Sequence, residues 1–260
     1  MAQDKQYDPA QSQSVDFPGK DFLRHDLYPA ISAAQTPSLK QPDKVVLITG
    51  AGRGIGRATA LQYAHAGVAS IVLCARTTSQ LDEVESEIKK IDGNIRVLKF
   101  PLDVTDDAAV KACTDEVRSK EKRLDVLINN AGASSSWVPI GEGNPSDYWK
   151  AVSVNLKGPY LMLHFLLPLM QATAAEYGSK TAVVNMSTIG SLIVFPGISN
   201  YNIAKVALNS LTQFVNAEYG DKGVVAFAVH PGGVDTVMAR SDETFDKVLN
   251  GRKYPIMLYS

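Results

Sequence analysis

The chain has 260 residues, 26 basic and 27 acidic, for a formal net charge of −1, and 45% of its residues are hydrophobic. That length can bury a sizeable core without staples, and the charge balance argues against nucleic acid or an anionic membrane surface as a partner. Two cysteines, Cys74 and Cys113, lack disulfide or metal-ligand spacing, no apolar run reaches the about 18 residues of a membrane helix, and the polar start does not read as a secretory signal. A soluble cytoplasmic protein in a reducing compartment, without a metal site, is expected.

Residues 1–43 are rich in Gln, Ser, Asp and Pro, with scattered apolar residues that keep no period. The composition fits a flexible tail. The alternative is an arm laid over the body, anchored by Phe17, Phe22 and Tyr28, and a partly ordered arm is expected. Residues 38–43 then link it to a domain over 44–260.

The apolar run 44–48 ends in Thr49-Gly50-Ala51-Gly52-Arg53-Gly54-Ile55-Gly56, which opens a helical pattern over 57–64. This reads as strand, glycine turn, helix. Glycines allow backbone to approach a pyrophosphate, and the helix N-terminus offers unpaired N–H groups and partial positive charge. The same residues also suit an ordinary tight connection.

Beyond the turn, strand and helix alternate. Apolar runs at 70–75, 95–100, 124–128, 181–186 and 224–229 read as strands. Leu81, Val84, Ile88 and Ile91 share helical spacing, and Thr105 is expected to cap a helix with Val110, Cys113 and Val117 inward. A long helix is expected from 145 past Asn155 to about 177, and another over about 200–219. Strands that are continuous apolar runs between helices predict an α/β fold. It is a single doubly wound parallel sheet of the Rossmann type, binding its ligand at the carboxyl ends of the strands.

Tyr201 and Lys205 lie four apart and so share a helix face. A phenol with a pKa near ~10 needs help to act as a base at neutral pH, and an ammonium one turn away favours the phenolate. Alone, the pair is equally a surface tyrosine and lysine. It is accompanied, in order, by Thr49-Gly50-x-x-x-Gly54-x-Gly56, Leu102-Asp103-Val104, Asn129-Asn130-Ala131-Gly132, Val154-Asn155 and Pro231-Gly232-x-Val234-x-Thr236. On these six motifs, residues 44–238 resemble the short-chain dehydrogenase/reductase superfamily of the tyrosine-dependent type. The N-terminal arm is similar to that of some fungal members.

The resemblance implies a catalytic set of Asn155, Thr188, Tyr201 and Lys205. Tyr201 would be the general acid/base. Lys205 would bond the nicotinamide ribose and lower the Tyr201 pKa, and Asn155 would hold a water that continues a proton relay. Members usually carry a serine 13 residues before the tyrosine; here that position is Thr188, which keeps the hydroxyl, with Ser187 as the second choice. The implied cofactor-binding residues are Thr49, Gly50, Arg53, Gly54, Ile55, Gly56, Arg76, Asp103, Val104, Asn130, Gly132, Tyr201, Lys205, Pro231, Gly232, Val234 and Thr236. Asp103 would accept from the adenine amino group, Asn130 and Gly132 would line the ribose side, and Thr236 would hold the carboxamide.

An acidic residue at the end of the second strand would bind a ribose 2′-OH; Ala75 and Arg76 stand there, with Arg53 in the glycine turn. Two guanidiniums suit a 2′-phosphate, so NADP(H) is expected over NAD(H). Trp137, Val138, Leu192, Val194, Phe195, Val237 and Met238 fall on segments that line the pocket in the family. They suggest an apolar carbonyl or alcohol, or else core and lid packing. A homodimer or homotetramer through the helices near 145–177 and 200–219 is implied. Residues 241–250 fit one short helix, and 254–259, short and holding Pro255, are the candidate seventh strand. A sheet lacking the usual seventh strand is therefore expected. The competing expectation is a truncated, non-catalytic nucleotide-binding scaffold or partner subunit.

Overall fold

Side chains alternate across a strand, and in β1 (Val45–Thr49) both faces are apolar. Val45 and Leu47 enter one core, Val46 and Ile48 another. The strand reads as a continuous apolar run because helices cover both faces. The computed structural model describes residues 27–135, 137–192, 194, 196–232, 234 and 236.

The sheet continues with β2 (Ser70–Ala75), β3 (Arg96–Pro101), β4 (Val126–Asn129), β5 (Thr181–Met186) and β6 (Val224–Val229). Its order is β3-β2-β1-β4-β5-β6, and every pairing is parallel. Helices α1 (Gly54–His65) and α2 (Thr78–Ile91) cover one face through Ala60, Ala64, Leu81, Val84 and Ile88. On the other face lie α3 (Asp107–Glu121) and α5 (Gly158–Tyr177), with Val110, Cys113, Leu163, Leu166 and Met170 packed inward. Helices α4 (Pro145–Val152) and α6 (Ser199–Tyr219) complete the fold. The strand order reverses between β1 and β4, which opens a crevice at their carboxyl ends. No described helix is long and apolar enough to cross a membrane.

At the opposite end of those two strands, Asp125 is 2% exposed. Its carboxylate accepts from the Val45 amide at 2.9 Å, Lys44 Nζ at 3.0 Å, and Arg123 Nε and Nη2 at 2.7 and 2.9 Å. Burial would raise its pKa, but the Arg123, Val45 and Lys44 donors outweigh that and hold it below the usual carboxylate range. The Arg123 guanidinium also lies 3.9 Å over the Tyr177 ring, so β1, β4 and the end of α5 are tied together.

Three local expectations change. Asp106, and not Thr105, caps α3, accepting from the Ala108 and Ala109 amides. The Thr105 hydroxyl instead donates to Asp103 Oδ1 at 2.7 Å. The single helix expected over 145–177 is interrupted by a π-helical turn, Ser153–Lys157, in which the Gly158 N–H reaches back to the Ser153 carbonyl. Pro159 has no N–H and denies the Asn155 carbonyl its ordinary α-helical partner. In the arm, Tyr28 is 38% exposed and anchors little, whereas Ser32 and Ala33 are buried. Lys40 Nζ and the Gln41 amide bond the His65 and Ala66 carbonyls at the end of α1. Phe17, Phe22, the helix at 241–250 and the strand at 254–259 lie outside the described residues.

Candidate active site

The glycine turn joins β1 to α1 at the crevice. Gly50 and Gly54 adopt positive φ, 66° and 55°. A Cβ on Gly56 would lie 2.2 Å from the Gly50 carbonyl oxygen, and one on Gly50 would lie 2.9 Å from Ala131 Cα, so these two glycines are required by the protein's own packing. Gly54 is different: it is exposed, and its added Cβ would meet the Thr236 methyl at 3.4 Å. Arg53 caps α1 without a side-chain bond, and no acidic side chain stands in the first turn. The first-turn amides are thus left to an anion, which fits a dinucleotide pyrophosphate.

Thr49 and Asn130 hold the turn in place. Thr49 Oγ1 accepts from the Asn130 and Ala131 amides, both at 3.0 Å. Asn130 Nδ2 donates to the Thr49 and Gly50 carbonyls at 3.0 and 3.2 Å. The side-chain amide nitrogen of Asn130 is therefore committed to the glycine turn. Its backbone and Gly132 remain at the end of β4.

Arg76 follows β2 and is exposed, as is Arg53. Asp103, after β3, is a half-buried carboxylate. Burial would raise its pKa, but the Thr105 amide and hydroxyl, with the Arg76 and Lys150 charges, hold it below the usual range. Val104 is buried, and its methyl limits any Cβ on Gly158 to 2.7 Å. Sequence reasoning missed Gln80: its Oε1 lies 2.8 Å from the Cβ position of Gly52, beside Ala75. Its place in the first turn of a helix following a Rossmann second strand was the available signal.

On the other side of the crevice, β5 ends in Ser187 and Thr188. Ser187 is 5% exposed and its hydroxyl donates to Asn209 Oδ1 at 2.6 Å, so the second-choice residue is already committed. Thr188 Oγ1 accepts from the Gly190 amide at 3.2 Å in the 3-10 turn Ile189–Ser191. Among the described residues the Thr188 hydroxyl donates to none, leaving its proton for a substrate oxygen.

Tyr201 and Lys205 share one face of α6, with Lys205 Nζ 5.4 Å from the Tyr201 ring centroid. Lys205 is 3% exposed and donates to the Met186 carbonyl at 2.6 Å. Burial lowers the Lys205 pKa to about 8, and it raises that of Tyr201 to about 12. In the cofactor-free protein the expected depression of the tyrosine does not emerge, because desolvation of the phenolate dominates.

Asn155 sits in the π-helical turn and is fully buried. Its Nδ2 donates to the Ala133 and Ala151 carbonyls at 2.6 and 2.8 Å, while its Oδ1 has no partner. A buried unpartnered acceptor calls for water.

Pro231 and Gly232, the latter with φ 86°, turn the chain after β6. Val234 is 8% exposed, and Thr236 faces Gly54. Beside the first turn of α6, a cavity of about 350 Å³ is lined by Val138, Ile140, Tyr148 and Trp149 together with polar residues that include Ser135, Glu142, Asp147 and Asn200. Tyr148 and Trp149, on α4, were not foreseen as pocket residues. Leu192 and Val194 are 71% and 86% exposed, and Phe195, Val237 and Met238 lie outside the described residues.

Comparison with known proteins bears on the family and the fold. Residues 44–247 match the family model of short chain dehydrogenases. The chain is 44% identical over 220 residues to the short chain dehydrogenase mpl6 of Monascus purpureus, covering 83% of this chain and 72% of that one. The structure resembles carveol dehydrogenase from Mycobacterium avium in complex with NAD, with TM-score 0.72 at 25% identity, covering 82% and 78% of the two chains. It likewise resembles gluconate 5-dehydrogenase from Burkholderia cenocepacia in complex with NADP and tartrate, with TM-score 0.72 at 27% identity, covering 85% and 82%.

Proposed function

This chain belongs to the short-chain dehydrogenase family, and from that premise we propose that it interconverts a carbonyl and a secondary alcohol with NADP(H), on an apolar small molecule. The observation that carries the reading is Lys205, on the Tyr201 face of α6, bonded to the Met186 carbonyl at the carboxyl end of β5, two residues before a Thr188 hydroxyl that accepts from Gly190 and donates to no described residue.

Tyr201 is neutral at pH 7 and acts as the acid in carbonyl reduction, passing its Oη proton to the substrate oxygen. Thr188 donates to the same oxygen, where negative charge develops. Lys205, held at the Met186 carbonyl, supplies positive charge beside the phenol and the ribose. Asn155 Oδ1 accepts from a water through which Tyr201 is reprotonated. The pyrophosphate would lie on the first turn of α1, with Asp103 at the adenine and Thr236 at the carboxamide. When bound, the nicotinamide supplies the hydride for reduction or takes it in oxidation.

NADP(H) is preferred on this reading because Arg53 and Arg76 flank the adenosine side without a carboxylate at the end of β2. Val138, Ile140, Tyr148 and Trp149 favour an apolar substrate. Exposed Tyr160 on α5, with Ile203, Val206 and Phe214 on α6, supports self-association through these helices. Two buried thiols, Cys74 and Cys113, with Sγ atoms 3.8 Å apart, fit the reducing cytoplasm.

The test is NADPH oxidation by the full chain against apolar ketones and aldehydes, acetophenone and cyclohexanone among them. Tyr201→Phe should lower kcat about 10²–10⁴-fold with NADPH binding retained. Wild-type protein that binds NADPH and turns over none of them would favour the non-catalytic alternative. Arg76→Ala should weaken NADPH binding about tenfold or more relative to NADH, the loss expected for one charge-assisted bond. An unchanged ratio would remove the basis for NADP(H).

A further inference from the structure

We infer that Asn209 is a positioning residue that sets Thr188 for donation to the substrate oxygen, an inference that rests on the carbonyl–alcohol reading above. Residues 201, 205 and 209 recur every fourth position and so share one face of α6. Each of the last two grips the chain at the end of β5. Lys205 Nζ donates to the Met186 carbonyl at 2.6 Å. Asn209 Oδ1 accepts from the Ser187 hydroxyl at 2.6 Å, and its Nδ2 donates to Ser191 Oγ at 2.8 Å. Ser191 Oγ in turn donates to the Thr188 carbonyl at 2.7 Å.

One carboxamide thus holds both flanks of Thr188: the residue before it directly, and its own carbonyl through Ser191. Three successive residues, Met186, Ser187 and Thr188, are fixed to one helix face. The Ser187 amide is bound on the remaining side by the Val229 carbonyl at 2.8 Å. The 3-10 turn that carries the Gly190 amide to Thr188 Oγ1 is closed by Ser191, the same residue that Asn209 holds. A carboxamide places a donor and an acceptor in one rigid plane. An aspartate in place of Asn209 would lose the donor, and a serine would not reach. A donor aimed at a developing oxyanion is effective only within about 0.5 Å of its place.

The experiment uses the full chain with Asn209→Ala, Asn209→Asp and Ser191→Ala, alone and combined with Thr188→Ala. It measures kcat and KM for acetophenone with NADPH, the NADPH Kd, and the methyl NMR signal of Thr188. Asn209→Ala and Ser191→Ala should each lower kcat about tenfold or more, leave the NADPH Kd unchanged and move the Thr188 methyl signal. Asn209→Asp, which still accepts from Ser187, should lose less than Asn209→Ala. In the Thr188→Ala background none of the three should cost anything further.

Losses that multiply with an impaired Thr188→Ala would overturn the positioning role and leave the reaction standing. A Thr188→Ala protein at the wild-type rate would overturn Thr188 as donor, and the positioning role with it. A wild type inert toward the whole panel would overturn the reaction; the methyl signal then decides the placement by itself, and a Thr188 signal unmoved in both Ser191→Ala and Asn209→Asp would refute it. Those two variants also carry the test should Asn209→Ala not fold.

Discussion

Lys205 is the residue for which burial has the most measurable result. In the folded, cofactor-free protein it releases its proton near pH 8, whereas its ordinary value is 10.5. Between these values the unfolded chain binds more protons than the folded one, so stability rises with pH. The gap corresponds to about 3 kcal/mol, withheld below pH 8 and recovered above it. Tyr201 acts with the opposite sign: its ordinary value is 10.0 and its folded value about 12, so stability falls once the unfolded phenol ionises above pH 10. Urea midpoints should therefore climb between about pH 8 and 10 and fall again above about pH 10.5. Lys205→Met should abolish the climb; a wild-type midpoint flat across that window would contradict the burial of the ammonium. The sequence made the Tyr201–Lys205 pair legible through its four-residue spacing. It could not disclose that burial dominates the Tyr201 pKa, because burial follows from how α6 packs. Asn130 was likewise identified as important, but its amide direction depends on where the Thr49 and Gly50 carbonyls end up.

Among elements, the π-helical turn Ser153–Lys157 sets the place of Asn155. It is pressed against the turn after β3, since a Cβ on Gly158 would stand 2.7 Å from Val104 Cγ2 and 3.1 Å from its Cβ. Gly158→Ala should cost about 1–3 kcal/mol by overpacking, read as a lower urea midpoint, and should lower kcat by moving Asn155. A variant as stable and as active as the wild type would show that the turn can yield. Strands and helices were legible because the inner strands β1 and β2 are apolar on both faces and helical spacing is strict in α2 and α3. The π turn was not: its cause is one missing N–H at Pro159 inside an otherwise helical pattern. The cap of α3 was placed one residue early, because Thr105 and Asp106 are equally good caps by composition. The competing pull of Asp103 on the Thr105 hydroxyl exists only in three dimensions.

For the whole molecule, the parallel order and its reversal between β1 and β4 place the glycine turn opposite Thr188, Tyr201 and Lys205. That order followed from alternation and crossover handedness, and four of the six motifs follow the carboxyl ends of β1, β3, β4 and β6. The amino end was not legible, since nothing in the pattern distinguishes Asp125 from any polar residue before a strand. Yet it gathers Lys44, Arg123 and the Val45 amide on a carboxylate that is 2% exposed. Asp125→Asn should cost about 3–5 kcal/mol, as for a buried ion pair deprived of one partner, seen in urea midpoints at pH 7. Because the folded pKa is lowered, the wild-type advantage should persist above the unfolded value and fade as pH falls through the folded one. A loss within the error of the midpoint would mean that Lys44 and Arg123 are equally well solvated without it.

The Asp125 cluster and the chemistry occupy opposite ends of the same two strands. Durability and selectivity are therefore written in separate places. A library that varies residues 123–125 and 44 would tune how much heat the protein survives while leaving Thr188, Tyr201 and the cavity beside α4 untouched. A second library at Val138, Ile140, Tyr148 and Trp149 could then use that added tolerance to reach new substrates.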